Sequence, residues 1–210
     1  LSYFRNQLED WLKTIDVKAD KVLDVGGGSN PVKGRTKSWD VKQYLILDNE
    51  LEDMKQKPDI VGDIQDTMVV SQIIPELYIS PPPEEIYKEK QFDIIFCLEV
   101  AEYLWEPWRA LCNMYDLLKK GGILYISFPF IYPHHAPEGH DYLRYTRWGA
   151  LKLLEEAGFK IKSEFPRVQN DEVHGYGQRI QDWFSREGMH PSRSYPWHNE
   201  IGYLFEAVKK

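Results

Sequence analysis

Three consecutive glycines, Gly26, Gly27 and Gly28, follow an aspartate, Asp24, at the end of a short apolar run. Glycines at such a place let the backbone turn tightly and approach a ligand that a Cβ would exclude. Two more acids, Asp48 and Asp63, stand at or just beyond the ends of the next apolar runs, Tyr44 to Leu47 and Asp59 to Val61. In an open α/β sheet, ligands bind beyond the carboxyl ends of the strands. There, an acid ending the second strand accepts hydrogen bonds from both hydroxyls of a ribose, and the residues after the third strand can hold an adenine edge. The set reads as a nucleoside site.

The glycine loop discriminates between nucleoside ligands. A dinucleotide fingerprint, G-x-G-x-x-G, needs a third glycine below the pyrophosphate so that the following helix can pack closely. Here the glycines run into Ser29, Asn30 and Pro31, so proline stands where the third glycine is required. S-adenosylmethionine has no pyrophosphate, and its ammonium and sulfonium suit an acidic loop better than a phosphate would.

A second concentration of chemistry lies late in the chain. All six histidines, His134, His135, His140, His174, His190 and His198, follow the fifth apolar run, and Asp141, Tyr142 and Arg144 are interleaved with the first three. An imidazole titrates in the range useful to a general base. The same residues read equally well as a loop pinned by its own hydrogen bonds, with Arg144 in a structural ion pair. Three histidines and an aspartate also admit a metal site, although their spacing matches no strong metal signature, so no metal is expected. Aromatic residues crowd the two late connections: Tyr132, Tyr142, Tyr145 and Trp148, then Tyr176, Trp183, Phe184, Tyr195 and Trp197.

These groups need a scaffold. Phe4, Leu8, Trp11, Leu12 and Ile15 recur at helical spacing and predict an amphipathic N-terminal helix within residues 1–16. Strands are expected at Lys21 to Val25, Tyr44 to Leu47, Asp59 to Val61, Phe92 to Leu98, Ile123 to Phe128, Phe159 to Phe165 and Tyr203 to Val208. Trp105 to Lys119 carries apolar residues at helical spacing and is expected to stop at Gly121 and Gly122. Thr146 is placed to cap a helix that ends at Gly158. Strands alternating with helices predict a mostly parallel sheet covered on both faces. Residues 66–91 and 166–200 break the rhythm and read as insertions or lid segments within a single domain spanning 1–210.

With these residues in view, the sequence resembles the class I S-adenosylmethionine-dependent methyltransferases, in particular a small-molecule, type 11-like subgroup. VLDVGGGSNP is similar to that family's first motif, LILDNE and DIVGDI to the second and third, and FDIIFCLEVAEYL to the fourth; LLKKGGILYISFP completes the pattern. The resemblance implies S-adenosyl-L-methionine as cofactor, with Asp24, Gly26, Gly27 and Gly28 on its methionine portion, Asp48 and Asn49 on the ribose, Asp63 and Ile64 beside the adenine, and Leu98 and Glu99 nearby. It also implies a Rossmann-like, doubly wound, seven-stranded sheet, mostly parallel with an antiparallel last strand. Many relatives continue the fourth motif with Glu-His, whereas Glu102 is followed here by Tyr103, so a role for that histidine does not carry over. PFIYPHHAPEGHDYLRYT resembles a Pro-x-His, Asp-Tyr, Arg-aromatic-Thr pattern of the subgroup. This makes His135 the expected base with Asp141 as its orienter, and His134, His140, Tyr142, Arg144 and Tyr176 the expected substrate contacts.

Composition sets outer bounds. A chain of 210 residues with 42% apolar content can build its own core. Its net charge of -7, without a basic cluster, disfavours a nucleic-acid partner. No run reaches the ~20 apolar residues of a membrane span, and two cysteines, Cys97 and Cys112, make no disulfide framework. A cytoplasmic enzyme without membrane or nucleic-acid partners is therefore expected. O-methylation of a small molecule such as a sugar, in glycan or secondary-metabolite synthesis, is the leading function. The alternatives are a nucleic-acid or protein methyltransferase and a non-catalytic scaffold; oligomeric state is left open.

Overall fold

The computed structural model describes residues 3–49, 54–74, 91–134, 139–168 and 200–210. Its strands are β1 (Asp16–Val25), β2 (Ser38–Asp48), β3 (Ile60–Val61), β4 (Phe92–Cys97), β5 (Leu118–Pro129), β6 (Phe159–Val168) and β7 (Glu200–Lys209). Its helices are α1 (Tyr3–Leu12), α2 (Thr67–Ile73), α3 (Pro107–Leu117) and α4 (Arg147–Glu156), with a short 3-10 turn at Ala101–Tyr103. One seven-stranded sheet runs in the order β3-β2-β1-β4-β5-β7-β6. The pairs among β1 to β5 are parallel, and β7 is antiparallel to both its neighbours. Strand order reverses between β1 and β4, so the crevice for a ligand lies beyond their carboxyl ends.

The side-chain pattern of each strand follows its neighbours. In β4, Ile95 and Cys97 enter one apolar layer, while Ile94 and Phe96 enter the other. This near-continuous apolar run is what a central parallel strand buried on both faces requires. β1 is different along its length. Its second half, Val22 to Val25, pairs with both β2 and β4, whereas Asp16 to Lys21 has only β2 beside it and alternates polar with apolar residues. The Asp93 carboxylate ends the β1–β4 pairing by accepting the Asp20 and Lys21 amides.

The two faces are covered unequally. Residues of α2, α3 and α4 fill the larger layer; Leu8, Trp11 and Leu12 of α1 fill the smaller one with Val32 of the glycine-rich loop. No helix lies between β1 and β2, where residues 26–37 form a loop. Gly26 to Gly28, Pro31 and Gly34 leave that segment without the apolar periodicity a helix would need.

Further expectations change, and β1 and β2 begin earlier than expected, at Asp16 and Ser38. Residues 66–91 contain α2, capped by Asp66 accepting from the Met68 amide; residues 75–90 lie outside the described part. α3 ends at Leu117, before Gly121 and Gly122, and β5 starts at once. Gly121 (φ 77°) instead serves an irregularity inside β5, where pairing with β4 shifts between Phe92–Leu118 and Ile94–Ile123. β6 runs on to Val168, beyond the expected Phe165, because β7 supplies a partner as far as Glu200.

Thr146 caps α4 by accepting from the Gly149 amide at 3.1 Å. Thr146→Ala is expected to lower stability by about 1 kcal/mol, seen as a lower urea midpoint with unchanged slope. Thr146→Ser is expected to restore it.

Candidate functional site

The ends of β1, β2 and β4 meet at Gly26. Its amide donates to Leu47 O at 2.8 Å, and a Cβ built there would lie 2.3 Å from a Val100 methyl. Its φ of 76° is one an L side chain rarely adopts. Glycine is thus required twice, by space and by conformation. Gly28 presents its amide to Asp48 Oδ2 at 2.9 Å, and a Cβ there would crowd both that oxygen and the Met54 thioether. Asp48 Oδ1 takes the Asn49 amide at 2.8 Å. The carboxylate is half-buried, burial pushes its pKa up, and it keeps lone pairs for further donors.

Asp24 is turned inward. Its carboxylate is buried beneath Gly27, with Oδ2 accepting from the Val32 amide at 2.8 Å and from the Tyr44 hydroxyl. Desolvation raises its pKa to about 6, against the hydrogen bonds from Tyr44 and Val32. The geometry makes Asp24 the organiser of the glycine loop. Asp63 takes the Gln65 side-chain amide and backbone N–H, while Ile64 is buried in the larger apolar layer and its carbonyl accepts from Asn113.

Leu98 and Glu99 follow β4 at the crevice. Glu99 has φ 57°, the one positive value at a non-glycine among the described residues. A reciprocal pair of hydrogen bonds holds it: its amide donates to Ser127 Oγ at 2.7 Å, and Ser127 Oγ donates to Glu99 Oε1 at 2.8 Å. The fully buried Arg167 grips the same carboxylate through both terminal nitrogens, at 2.6 and 3.2 Å.

The residues expected on the acceptor side hold one another through several bonds. Arg144 holds both oxygens of Asp141 and also donates to Tyr132 O and Pro133 O. The Asp141 side chain is only 4% exposed, whereas His134, whose Nδ1 lies 3.4 Å from Asp141 Oδ2, is 94% exposed. Tyr142 and Leu143 amides donate to Glu102 O, and the buried Tyr145 hydroxyl donates to Ala101 O at 2.7 Å, fixing the loop to the 3-10 turn after β4. Tyr142 is exposed and meets Trp105 edge-on, with the His140 ring 6.3 Å away. His135 and Tyr176 lie outside the described residues. Among the described residues no three His, Cys, Asp or Glu side chains converge as a metal site, and no helix is long and apolar enough to cross a membrane.

Sequence reasoning did not find Tyr44, Ser127, Phe4 or Arg167. Tyr44 looked like the first residue of a strand, and Arg167 fell in a stretch read as a connection. Only tertiary contact gives them partners.

Asp24 makes stability depend on pH. Its pKa is about 6 when folded and near 3.8 when unfolded, so between these values the folded chain holds more protons. Its contribution is therefore largest below about pH 4 and is lost as pH rises through about 6, a span worth roughly 3 kcal/mol. Asp24→Asn keeps an acceptor for Val32 and Tyr44, and is expected to remove this slope. Urea titrations at pH 4.5 and 7 check it; equal slopes in both proteins would refute the burial argument.

Comparison with known proteins agrees with this geometry. Residues 74–126 match a methyltransferase domain family. Ubiquinone biosynthesis O-methyltransferases of Coxiella burnetii are 31% identical over 103 residues, covering 36% of this chain; the chain spans 44% of their length, under half of these curated relatives. Among solved structures, the chain partnered with the Trm112 methyltransferase activator of Haloferax volcanii superposes with a TM-score of 0.60 at 18% identity, covering 98% of this chain and 88% of that one. The N-methyltransferase NodS of Bradyrhizobium japonicum, in complex with S-adenosyl-L-homocysteine, gives 0.54 at 14% identity, covering 98% and 87%. In strand order, in its matched segment and in its glycine loop, the chain has the class I S-adenosylmethionine-dependent methyltransferase fold and resembles the type 11 group.

Proposed function

We propose that the chain binds S-adenosylmethionine in the β1–β4 crevice and transfers its methyl group to a hydroxyl of a small molecule, such as a sugar. The carrying observation is the cradle at Gly26 and Gly28, closed to any Cβ and flanked by a carboxylate, Asp48, that retains lone pairs for two ribose hydroxyls. When bound, the cofactor supplies a methyl group on a sulfonium, already activated for in-line displacement. The chain's own residues hold and align. Gly27 and Gly28 offer the loop backbone to the methionine end, Asp48 and Asn49 hold the ribose, Asp63 and Ile64 border the adenine, and Leu98 and Glu99 line the donor side. Alignment of this kind is worth roughly 7 to 11 kcal/mol.

On the acceptor side Arg144 fixes Asp141 and the Tyr132–Pro133 backbone, leaving Asp141 to orient and an imidazole to act as base. His134 is the histidine beside Asp141, and His135 follows it; we retain His135 as the base and place His134, His140 and Tyr142 around the acceptor. The exposed Trp105–Tyr142 pair offers an aromatic face to a sugar or phenolic ring. Curated relatives named as O-methyltransferases support oxygen as the acceptor atom.

Calorimetry with S-adenosyl-L-homocysteine is expected to give micromolar binding, weakened in Asp48→Ala by about 1.5 to 3 kcal/mol with the fold intact. Binding of a nicotinamide dinucleotide in place of S-adenosyl-L-homocysteine would overturn the cofactor assignment. With a hydroxyl acceptor, His135→Gln is expected to lower turnover by about 10² or more at unchanged cofactor affinity, and to abolish the rise of rate with pH across the imidazole range. Near-normal turnover there, with loss in His134→Gln, would move the base by one residue.

A further inference from the structure

We propose that Arg167 is a positioning residue of the donor site, and that through it the first turns of α1 form part of that site. This rests on the crevice at Glu99 being where the donor binds.

Arg167 carries a charge with no route to water. Arg167, near the end of β6, is 0% exposed, and its Nε finds no acceptor among the described residues. A buried ion pair is weak evidence for stability, because desolvation offsets most of the attraction and a packed apolar pair of similar volume does as well. Without an acceptor among the described residues, Nε adds a further cost. What the pair provides is geometry. Two terminal nitrogens hold the Glu99 carboxylate in a fork, and that carboxylate belongs to the residue in the left-handed conformation directly after β4. Such a backbone persists only where its surroundings over-determine it. Ser127 binds the Glu99 amide and one oxygen, while Arg167 binds both oxygens, so one hydrogen bond holds the backbone and three hold the side chain. The Glu99 side chain remains 26% exposed at the crevice.

The other end of Arg167 holds α1. Its second terminal nitrogen also donates to Phe4 O at 2.8 Å, and its guanidinium lies over the Phe4 ring. One residue on, the Val168 amide donates to Gln7 Oε1 and the Gln7 amide donates back to Val168 O, each at 2.8 Å. The Phe4 ring in turn lies 4.6 Å from the Tyr132 ring, whose backbone Arg144 holds on the acceptor side. A single guanidinium therefore joins Glu99 at the donor crevice to a helix whose Phe4 also touches the acceptor loop.

If Glu99 is positioned this way, ligand binding and α1 docking are linked, and each strengthens the other by the same factor. The test is calorimetry and amide hydrogen exchange with S-adenosyl-L-homocysteine on four proteins: the unmodified chain, Arg167→Lys, Gln7→Ala, and Lys18→Ala as a remote control. Arg167→Lys keeps the charge and loses the fork. It is expected to weaken binding about tenfold or more in a protein that remains folded by near-ultraviolet circular dichroism. In the unmodified chain the ligand is expected to slow exchange at Leu8 and Val168 as well as at Gly28; in Arg167→Lys only the Gly28 effect should persist. Gln7→Ala loosens α1 without changing Arg167, and is expected to weaken the ligand measurably, by at most the factor by which the ligand slows Leu8. Lys18→Ala should match the unmodified chain. Should Arg167→Lys fail to fold, Gln7→Ala with the exchange at Leu8 decides alone. Unchanged affinity in the folded variants, with Leu8 exchange indifferent to ligand, overturns the proposal while the donor site stands. Failure of the unmodified chain to bind overturns both.

Discussion

The crevice exists because one residue has no side chain. At Gly26 the chain leaves β1, donates to the end of β2 and passes against Val100 just beyond β4, so closely that a methyl group has no room. The positive φ turns the loop out of the sheet plane, so that the Gly28 amide two residues on meets the Asp48 carboxylate at the end of β2. Parallel strands whose order reverses there leave a gap at their carboxyl ends, and Gly26 sets how closely that gap is walled. Gly28 and Asp48 can then meet at 2.9 Å because the turn brings them together across two strands.

Charge burial follows from the same constraint. A loop that replaces a helix between β1 and β2 must satisfy its own backbone groups, and Asp24 meets the Val32 amide inside the protein. The result is a desolvated carboxyl whose pKa rises to about 6 and whose hydroxyl partner, Tyr44, is pushed up as well. Arg167 and Glu99 show the opposite solution on the next wall of the crevice. There the two charges neutralise each other, and the fork retains its geometry in a low-dielectric setting. One acid shapes the loop from below; the other is aimed at the crevice.

Much of this was legible in the sequence, and the boundary has physical reasons. Seven apolar runs named the strands because strand pattern is local, and Thr146 announced its helix because a cap is local too. The glycine triplet and Asp48 were visible for the same reason: both sit where a strand must end. The loop between β1 and β2 was legible in Pro31 and the glycines. Gly121 and Gly122 were misplaced because a glycine pair after a helical pattern resembles a helix stop, and only the β4–β5 register shows that it serves a bulge. Asp24 was recognised but its direction was not, since burial depends on Tyr44, twenty residues away. Arg167 was invisible, because a basic residue late in a strand has no sequence signal until Glu99 and Phe4 are folded beside it.

The acceptor side divides labour in a way that narrows its chemistry. A carboxylate acting as base needs a free lone pair and access to the acceptor proton, yet Asp141 is nearly buried and clasped by Arg144, whose own pKa rises through that bond. The clasp instead fixes where the histidine-bearing segment begins, since Arg144 also holds the carbonyls of Tyr132 and Pro133. Tyr142, Leu143 and Tyr145 anchor the other end of that segment to the turn after β4. Tyr132 and Pro133 on one side of the histidines are thus tied to Arg144, and Arg144's neighbours to the turn after β4. Under the proposed function, the exposed His134 beside these supports suits a reaction in which alignment supplies most of the rate and proton removal supplies the remainder.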